Sequence, residues 1–189
     1  MLKDKGNVMK IQYRANARKV LESLVWIASR RPGNGFHFIL KVLFYADKYH
    51  LQQYGRPVTG DTYVKMSYGP VASLAYDMLK KEERLPQPVL EEINEALDVQ
   101  RDKTPMVFSK RDPEMGCFSE TDEACLQKAM EFCDRMDFGT LTKMTHEEPA
   151  WQAVDMNAAM DYELFVDADI PDREELIAYI RETAPCLAL

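Results

Sequence analysis

Three histidines, His37, His50 and His146, are the side chains most suited to metal binding or proton transfer near neutral pH. A zinc site needs further ligands at fixed spacing, as in two histidines four residues apart with a glutamate beside the first. The run His146-Glu147-Glu148 lacks the second histidine, and no such partner accompanies His50. The sequence therefore predicts no metal site and no bound cofactor.

Nucleophilic catalysis is not indicated either. The sequence contains no G-x-S-x-G elbow, and Gly33-Asn34-Gly35 is not followed by the lysine and serine or threonine of a phosphate-binding loop. The four cysteines, Cys117, Cys125, Cys133 and Cys186, do not have zinc-ligand spacing, so we expect reduced thiols that pack as small apolar side chains. We expect no catalytic residue and a protein that is not an enzyme.

Asp47 has the most unusual setting of the acidic residues. It falls on the apolar face of a predicted helix, in step with Leu43, Phe44 and Leu51. A buried carboxylate must be paired, hydrogen-bonded or protonated. We predict a structural role for Asp47, with four candidate partners: Lys41, Tyr45, Tyr63 and Tyr68.

A central helix must position this carboxylate. The pattern predicts a helix from about Phe36 to Tyr54 that is apolar on most sides and ends at Gly55. After a turn containing Pro57, residues 61–67 have the β-branched and aromatic composition of a short strand. Tyr68-Gly69-Pro70 is then predicted to open another helix, with Pro70 at its first position.

The remaining elements are mostly helical. Asn16 and Ser119 are predicted to cap the helices that follow them. Residues 104–109 are predicted to pair as a second strand with residues 62–67. A length of 189 residues is sufficient for one full hydrophobic core. The predicted fold is therefore mainly α, a single compact helical domain with a small antiparallel β ribbon.

Four short motifs occur in a fixed order along the chain: Y-A-D at residues 45–47, G-R-P-V-T-G-D-x-Y at 55–63, Y-G-P-V at 68–71, and L-T-K-M-T-H at 141–146 with a following tryptophan. The ordered set resembles the signature of the Panacea, or SocA-like, antitoxin domain of bacteria and their phages, over about residues 16–165. The matching positions, which we expect to be mainly structural, are Tyr45, Asp47, Gly55, Pro57, Tyr63, Tyr68, Gly69, Pro70, His146 and Trp151.

The resemblance implies an antitoxin that binds and neutralises a co-encoded toxin. In one branch of the family it implies a proteolytic adaptor that delivers the toxin to a ClpXP-type protease. On this reading residues 1–15 form a basic N-terminal lead-in, and residues 16–189 form the antitoxin domain. The alternatives are a nucleic-acid-binding regulator and, behind it, a small hydrolase.

Charge is distributed unevenly along the chain. The net charge is −7 in total, but residues 1–111 carry +7 and residues 112–189 carry −14. Since toxins that act on RNA present basic grooves, we predict that the acidic part faces the toxin. The candidate partner-binding residues are Glu147, Glu148, Asp155, Asp161, Glu163, Asp167 and Asp169. The competing hypothesis is that the acidic and basic parts pair with each other inside the fold.

The basic first 31 residues, with eight lysines and arginines against two acids, leave DNA open as a further partner. No helix-turn-helix pattern supports it. The sequence contains no apolar run long enough to cross a membrane and no signal-peptide pattern, so we predict a cytoplasmic location.

Overall fold

The computed structural model describes residues 10–101 and 103–187. Within this part, the chain forms eight α-helices and two small antiparallel sheets, which confirms the mainly α fold. The helices are α1 Ala17–Arg30, α2 Phe36–Tyr54, α3 Ser73–Lys80, α4 Gln87–Ala96, α5 Glu120–Asp134, α6 Phe138–His146, α7 Pro149–Gln152 and α8 Arg173–Thr183. The strands are β1 Asn34–Gly35, β2 Tyr63–Met66, β3 Gly69–Ala72, β4 Leu97–Gln100 and β5 Met106–Ser109.

Helix α2 runs through the middle of the core, as its composition predicts. Every residue from Ile39 to Lys48 is buried, and the helix packs most extensively against α5. It ends where predicted, because Gly55 adopts the left-handed conformation at φ +71° and donates its N–H to the carbonyl of Leu51.

Two predicted helix caps are confirmed. The side chain of Asn16 accepts a hydrogen bond from the N–H of Lys19 at the start of α1. At the start of α5, Ser119 and Asp122 form a reciprocal capping box, in which each side chain accepts the other residue's backbone N–H.

The prediction that Pro70 opens a helix is wrong. Pro70 lies in β3, which pairs antiparallel with β2, and α3 begins only at Ser73. Pro70 lies opposite Lys65, whose N–H and C=O bond on their other side to residues 157 and 158. The pair is therefore not a hydrogen-bonded one, and the missing N–H of proline removes no bond from the ladder.

The prediction that residues 104–109 pair with residues 62–67 is also wrong. Strand β5 pairs with β4 on one side and with the two-residue β1 on the other, so the sheet order is β1-β5-β4. β2 and β3 form a separate sheet. Leu97 and Val99 alternate with the exposed Asp98 and Gln100, a period-two pattern typical of a strand with one buried face.

The first described residues pack on the body of the molecule. Ile11 and Tyr13 are buried, the N–H of Ile11 donates to Asp161 at 3.0 Å, and the ring of Tyr13 lies edge-on to Tyr162. Residues 1–9 of the predicted N-terminal lead-in lie outside the described residues. The division into residues 1–15 and 16–189 stays a prediction.

Candidate functional site

The carboxylate of Asp47 is completely buried on the side of α2 that faces β2. It accepts four hydrogen bonds: from the N–H and hydroxyl of Thr59 at 2.7 and 2.6 Å, from Tyr63 at 3.0 Å and from Tyr162 at 3.3 Å. Burial raises the pKa of Asp47, and these donors act in the opposite direction. The network fixes the turn after α2 and strand β2 against the helix, which is a structural role.

Only one of the four candidate partners of Asp47 makes a hydrogen bond to it, and that is Tyr63. Lys41 donates to the carbonyl of Pro70 instead, and Tyr45 packs against Phe132. Tyr68 lies at the surface, with 62% of it exposed.

A second buried carboxylate, Asp61, was not singled out from the sequence. Its two oxygens accept the N–H groups of Leu74 and Ala75 at 2.9 and 2.8 Å, in the first turn of α3. The residue that precedes α3, Ala72, supplies no side-chain cap, so Asp61 takes that role from another part of the chain. Burial raises the pKa of Asp61 to about 7.

The hairpin that joins β2 to β3 is held by four side chains, which we name the hairpin clamp: His37, Lys41, His146 and Trp151. Trp151 donates its ring N–H to the carbonyl of Met66 at 3.2 Å, and Lys41 donates to the carbonyl of Pro70 at 2.8 Å. The rings of His146 and His37 face the backbone of Ser67 and Tyr68, which favours their protonated forms. The hairpin is thus held to α2 and α7 by two hydrogen bonds, and it also lies against α6.

Ring stacking reinforces the hairpin clamp. The ring of His146 stacks on Trp151 with centroids 3.9 Å apart and planes 12° apart. The ammonium group of Lys65 lies 4.0 Å from the Trp151 ring centroid, in a cation–π contact. The family motif thus brings His146, Trp151 and the Tyr68-Gly69-Pro70 turn together, although they are far apart in sequence.

Burial favours the neutral forms of the basic members of the hairpin clamp. Burial lowers the pKa of Lys41 to about 7 and that of His37 to about 4, and the nearby Lys41 contributes to the second shift. Burial also lowers the pKa of His146. Sequence reasoning did not assign His37 or Lys41 to this turn.

Two aromatic rings stand at the surface above the hairpin clamp. Tyr68 at the hairpin tip is 62% exposed and Phe138 at the start of α6 is 54% exposed, and their ring centroids are 5.4 Å apart. Phe138 also packs on His37 at 4.1 Å, and Thr142, one turn further along α6, bonds to the same imidazole at 3.0 Å. Beside Phe138 lies a mainly apolar groove of about 460 Å³, whose walls include Phe36, Phe38, Pro105, Met136 and Leu141.

The predicted partner-binding acids do not form one free patch. Asp161 caps a turn by accepting the N–H groups of Ile11 and Glu163, and Glu163 itself pairs with Arg181. Glu148 and Asp167 both bind the buried ammonium of Lys48, at 2.5 and 2.8 Å. Of the seven predicted acids, Glu147, Asp155 and Asp169 are exposed and have no ion pair within the described part of the chain.

The acidic and basic parts of the sequence pair with each other at many points. Cations of residues 10–111 that bind acids of residues 112–187 are Arg18, Lys19, Arg30, Arg31, Lys48 and Arg56. The most buried of these pairs joins Lys19 to Asp122 at 2.9 Å. Arg56 also binds Asp122, and the two cations lower the pKa of this carboxyl to about 2 despite its burial.

Among the residues that the structure describes, no three or more His, Cys, Asp or Glu side chains are grouped to hold a metal ion. None of the helices in that part of the chain is both long and apolar enough to cross a membrane.

Comparison with known families gives one match. A family model described as "Antitoxin SocA-like, Panacea domain" matches residues 39–152, which is more than half of the 189 residues. The matched span contains most of α2, the β2–β3 hairpin, and all of α5, α6 and α7. No significant match to a curated protein or to a solved structure was found.

Proposed function

Because the chain belongs to the antitoxin SocA-like, Panacea domain family, we propose that it binds and neutralises a toxin protein encoded by a neighbouring reading frame. The observation that carries the proposal is the family match over residues 39–152. That span includes most of the central helix and three of the four residues of the hairpin clamp, Lys41, His146 and Trp151. Neutralisation is expected to take place in the cytoplasm, where both products are made.

The chemistry of the motif residues and their neighbours supports a binding module over an enzyme. Asp47 and Asp61 use their oxygens on internal donors, Lys41 bonds to the carbonyl of Pro70, and His37 bonds to the hydroxyl of Thr142. A general acid or base must instead reach a substrate atom. These polar groups are therefore better suited to fixing the shape of a surface than to proton transfer.

Co-expression tests the proposal. Each neighbouring reading frame is placed under an inducible promoter in a bacterial host, with the wild-type chain or with a frame-shifted control on a second plasmid. We expect one neighbour to arrest growth with the frame-shifted control and to be tolerated with the wild-type chain. If every neighbour is harmless, or if the toxic one stays toxic with the wild-type chain, the proposed function is wrong.

The same plasmids, carried by a host with and a host without the ClpXP protease, separate the two modes of neutralisation. If the chain masks the toxin directly, rescue will persist in a host that lacks the ClpXP protease, and the toxin level will be unchanged. If the chain is a proteolytic adaptor, rescue will be lost in that host and the half-life of the toxin will lengthen. A pulse–chase measurement of the toxin in both hosts gives the answer.

DNA is a weaker partner proposal. Arg18, Lys19 and Arg30 of α1 already bind the acids Glu114, Asp122 and Glu123, so their charge is compensated inside the molecule. Phosphate binding depends on cations that are free to replace counterions. We expect no shift of the promoter fragment in a gel at 150 mM salt.

A further inference from the structure

Tyr68 and Phe138 are the two most exposed large apolar side chains within residues 10–101 and 103–187, and they touch each other. The others of this kind, such as Met115, Met156 and Tyr179, make no aromatic contact with these two rings. Single exposed apolar residues are common on monomers, whereas adjacent exposed aromatic rings that continue into an apolar groove are typical of interaction sites.

The backbone beneath Tyr68 is fixed more firmly than an ordinary hairpin tip. The hairpin clamp donates hydrogen bonds to the carbonyls of Met66 and Pro70, its two imidazole rings face Ser67 and Tyr68, and Gly69 adopts φ +100°. A Cβ at position 69 would overlap Thr145 and lie 2.9 Å from Cε of Lys41. Backbone held in a conformation that only glycine readily adopts, by surroundings that determine it several times over, is a feature of functional sites.

The groove beside Phe138 is lined by one cation and one anion, Arg31 and Asp137, whose charges cancel. Both already have partners within the molecule, because Arg31 binds Asp134 at 2.5 Å and Asp137 accepts the N–H of Thr140 at 2.7 Å in capping α6. His37 is neutral at pH 7, because burial lowers its pKa to about 4. Charge complementarity therefore favours an occupant that is itself uncharged and apolar.

We propose that Tyr68 and Phe138 anchor the toxin, and that an uncharged apolar segment of the toxin occupies the groove lined by Phe36, Phe38 and Leu141. This inference rests on the proposed function and adds the surface that carries it out. Rigid aromatic side chains lose little conformational entropy on binding, and such anchors carry a large share of the affinity of protein interfaces. The predicted acids Glu147, Asp155 and Asp169 would then steer association, and the aromatic pair would hold the complex.

The test compares single variants against the purified product of the neighbouring frame that the wild-type chain neutralises. We expect Tyr68→Ser and Phe138→Ser each to raise the dissociation rate about tenfold or more. Tyr68→Phe, which keeps the ring, should retain most of the affinity. The matched control is Tyr179→Ser: Tyr179 is 51% exposed but lies against Gly55, at the other end of α2, about 27 Å from the His37 end.

The readouts are the dissociation rate, the melting temperature and the mass of each variant in solution. Unchanged melting temperatures with faster dissociation for Tyr68→Ser and Phe138→Ser, but not for Tyr179→Ser, support the proposal. If the wild-type chain neutralises the toxin but both variants dissociate at the wild-type rate, Tyr68 and Phe138 do not anchor the toxin. The proposed function then still stands. If the wild-type chain neutralises no neighbour, the proposed function fails first and the anchor fails with it.

A second copy of the chain is the competing occupant of this surface. If Tyr68→Ser or Phe138→Ser changes the oligomeric state without any toxin present, the surface joins copies of the chain, which contradicts the proposal. If one variant unfolds, the other decides, because the two side chains lie on different elements, the hairpin and α6.

Discussion

At the scale of single residues, the motif acts mainly through hydrogen bonds to backbone groups. Asp47 holds the N–H of Thr59, Asp61 holds the first N–H groups of α3, and Lys41 and Trp151 hold carbonyls of the β2–β3 hairpin. The N–H groups of Leu74 and Ala75 lie in the first turn of α3 and have no partner within the helix, so Asp61 satisfies donors that the helix leaves over. The motif therefore joins the helix ends and turns of this region to one another.

Replacing Asp47 by alanine should lower the free energy of unfolding by about 3 kcal/mol or more, because it leaves the N–H and hydroxyl of Thr59 and the hydroxyl of Tyr63 without their acceptor. Chemical denaturation at pH 7 measures the change. Asp155→Ala removes an exposed carboxylate and should stay within about 0.5 kcal/mol of wild type. Equal losses of stability for the two substitutions would show that the buried Asp47 network contributes no more stability than an exposed carboxylate.

Because the pKa of Lys41 is lowered in the folded state, the free energy of unfolding should depend on pH in a definite direction. Its pKa is lowered to about 7 in the folded state from an ordinary value of 10.5, so the unfolded chain binds more protons between these values. Stability from this group is present at high pH and is lost as pH falls toward 7. His37, His146 and Cys133 face the same ammonium group, and burial raises the pKa of Cys133 to about 12.

We therefore expect the free energy of unfolding of wild type to rise from pH 7 to pH 9 relative to that of Lys41→Met. Thiols of the unfolded chain titrate within this window, at a pKa of about 8.5, but they do so in both proteins and cancel in the comparison. Lys143→Met, on the exposed face of α6, removes a cation without this burial and should keep the wild-type slope. Parallel pH profiles for Lys41→Met and wild type would show that the buried amine has no linked proton.

At the scale of elements, the features that depend on neighbouring residues in the sequence were predicted correctly. The bounds of α2, its glycine end and the caps at Asn16 and Ser119 depend on neighbours in sequence, and all are confirmed. The strand position of Pro70 depends on residues 157–160, which are distant in sequence. β5 instead pairs with β4, the strand just before it in the chain, whose four residues were not recognised as a strand from the sequence.

One tertiary feature did leave a signal in the sequence. His37, Lys41, Tyr45 and Lys48 recur at steps of four, four and three, so they lie on one side of α2. Asp47 is six residues from Lys41, which turns it about 120° away. The spacing therefore argues against Lys41 as a partner of Asp47, although Lys41 was predicted as a candidate. The structure adds that this side of α2 faces α6 and the start of α7.

A side chain at position 69, at the hairpin tip, should reduce the stability of the fold considerably. Gly69→Val should lower the free energy of unfolding by about 3 kcal/mol, because φ is +100° and the new Cβ would overlap Thr145 and Lys41. Gly116→Val is the matched control, since a Cβ there meets nothing within 4 Å. Melting temperatures that fall equally, or not at all, would show that the tip tolerates an ordinary residue.

At the scale of the whole molecule, part of the charge asymmetry of the sequence is compensated by ion pairs inside the fold. The basic first part and the acidic last part meet along α1, α2 and α5, and Lys48 binds two of the seven predicted partner-binding acids. Linear charge counts cannot show which charges face each other in the fold. The prediction that the acidic part faces the toxin is untested, and it now centres on Glu147, Asp155 and Asp169.

Reversing these three acids together to lysine should slow association with the toxin about tenfold or more and leave the melting temperature unchanged. The rate of the wild type should fall as salt rises, because the charges are exposed. Glu148→Lys is the contrasting control, since it places a cation against the buried Lys48 and should lower stability instead. An unchanged association rate in the triple variant would remove these acids from the interface.

The central claim is that the chain neutralises a toxin by binding it. The most direct measurement is light scattering after size-exclusion chromatography of the purified wild-type chain mixed with the neighbour product that it neutralises in cells. The account predicts a complex whose mass contains both chains, and a markedly smaller complexed fraction when the chain carries Tyr68→Ser and Phe138→Ser together. Rescue of growth with two separate peaks of unchanged mass would contradict it.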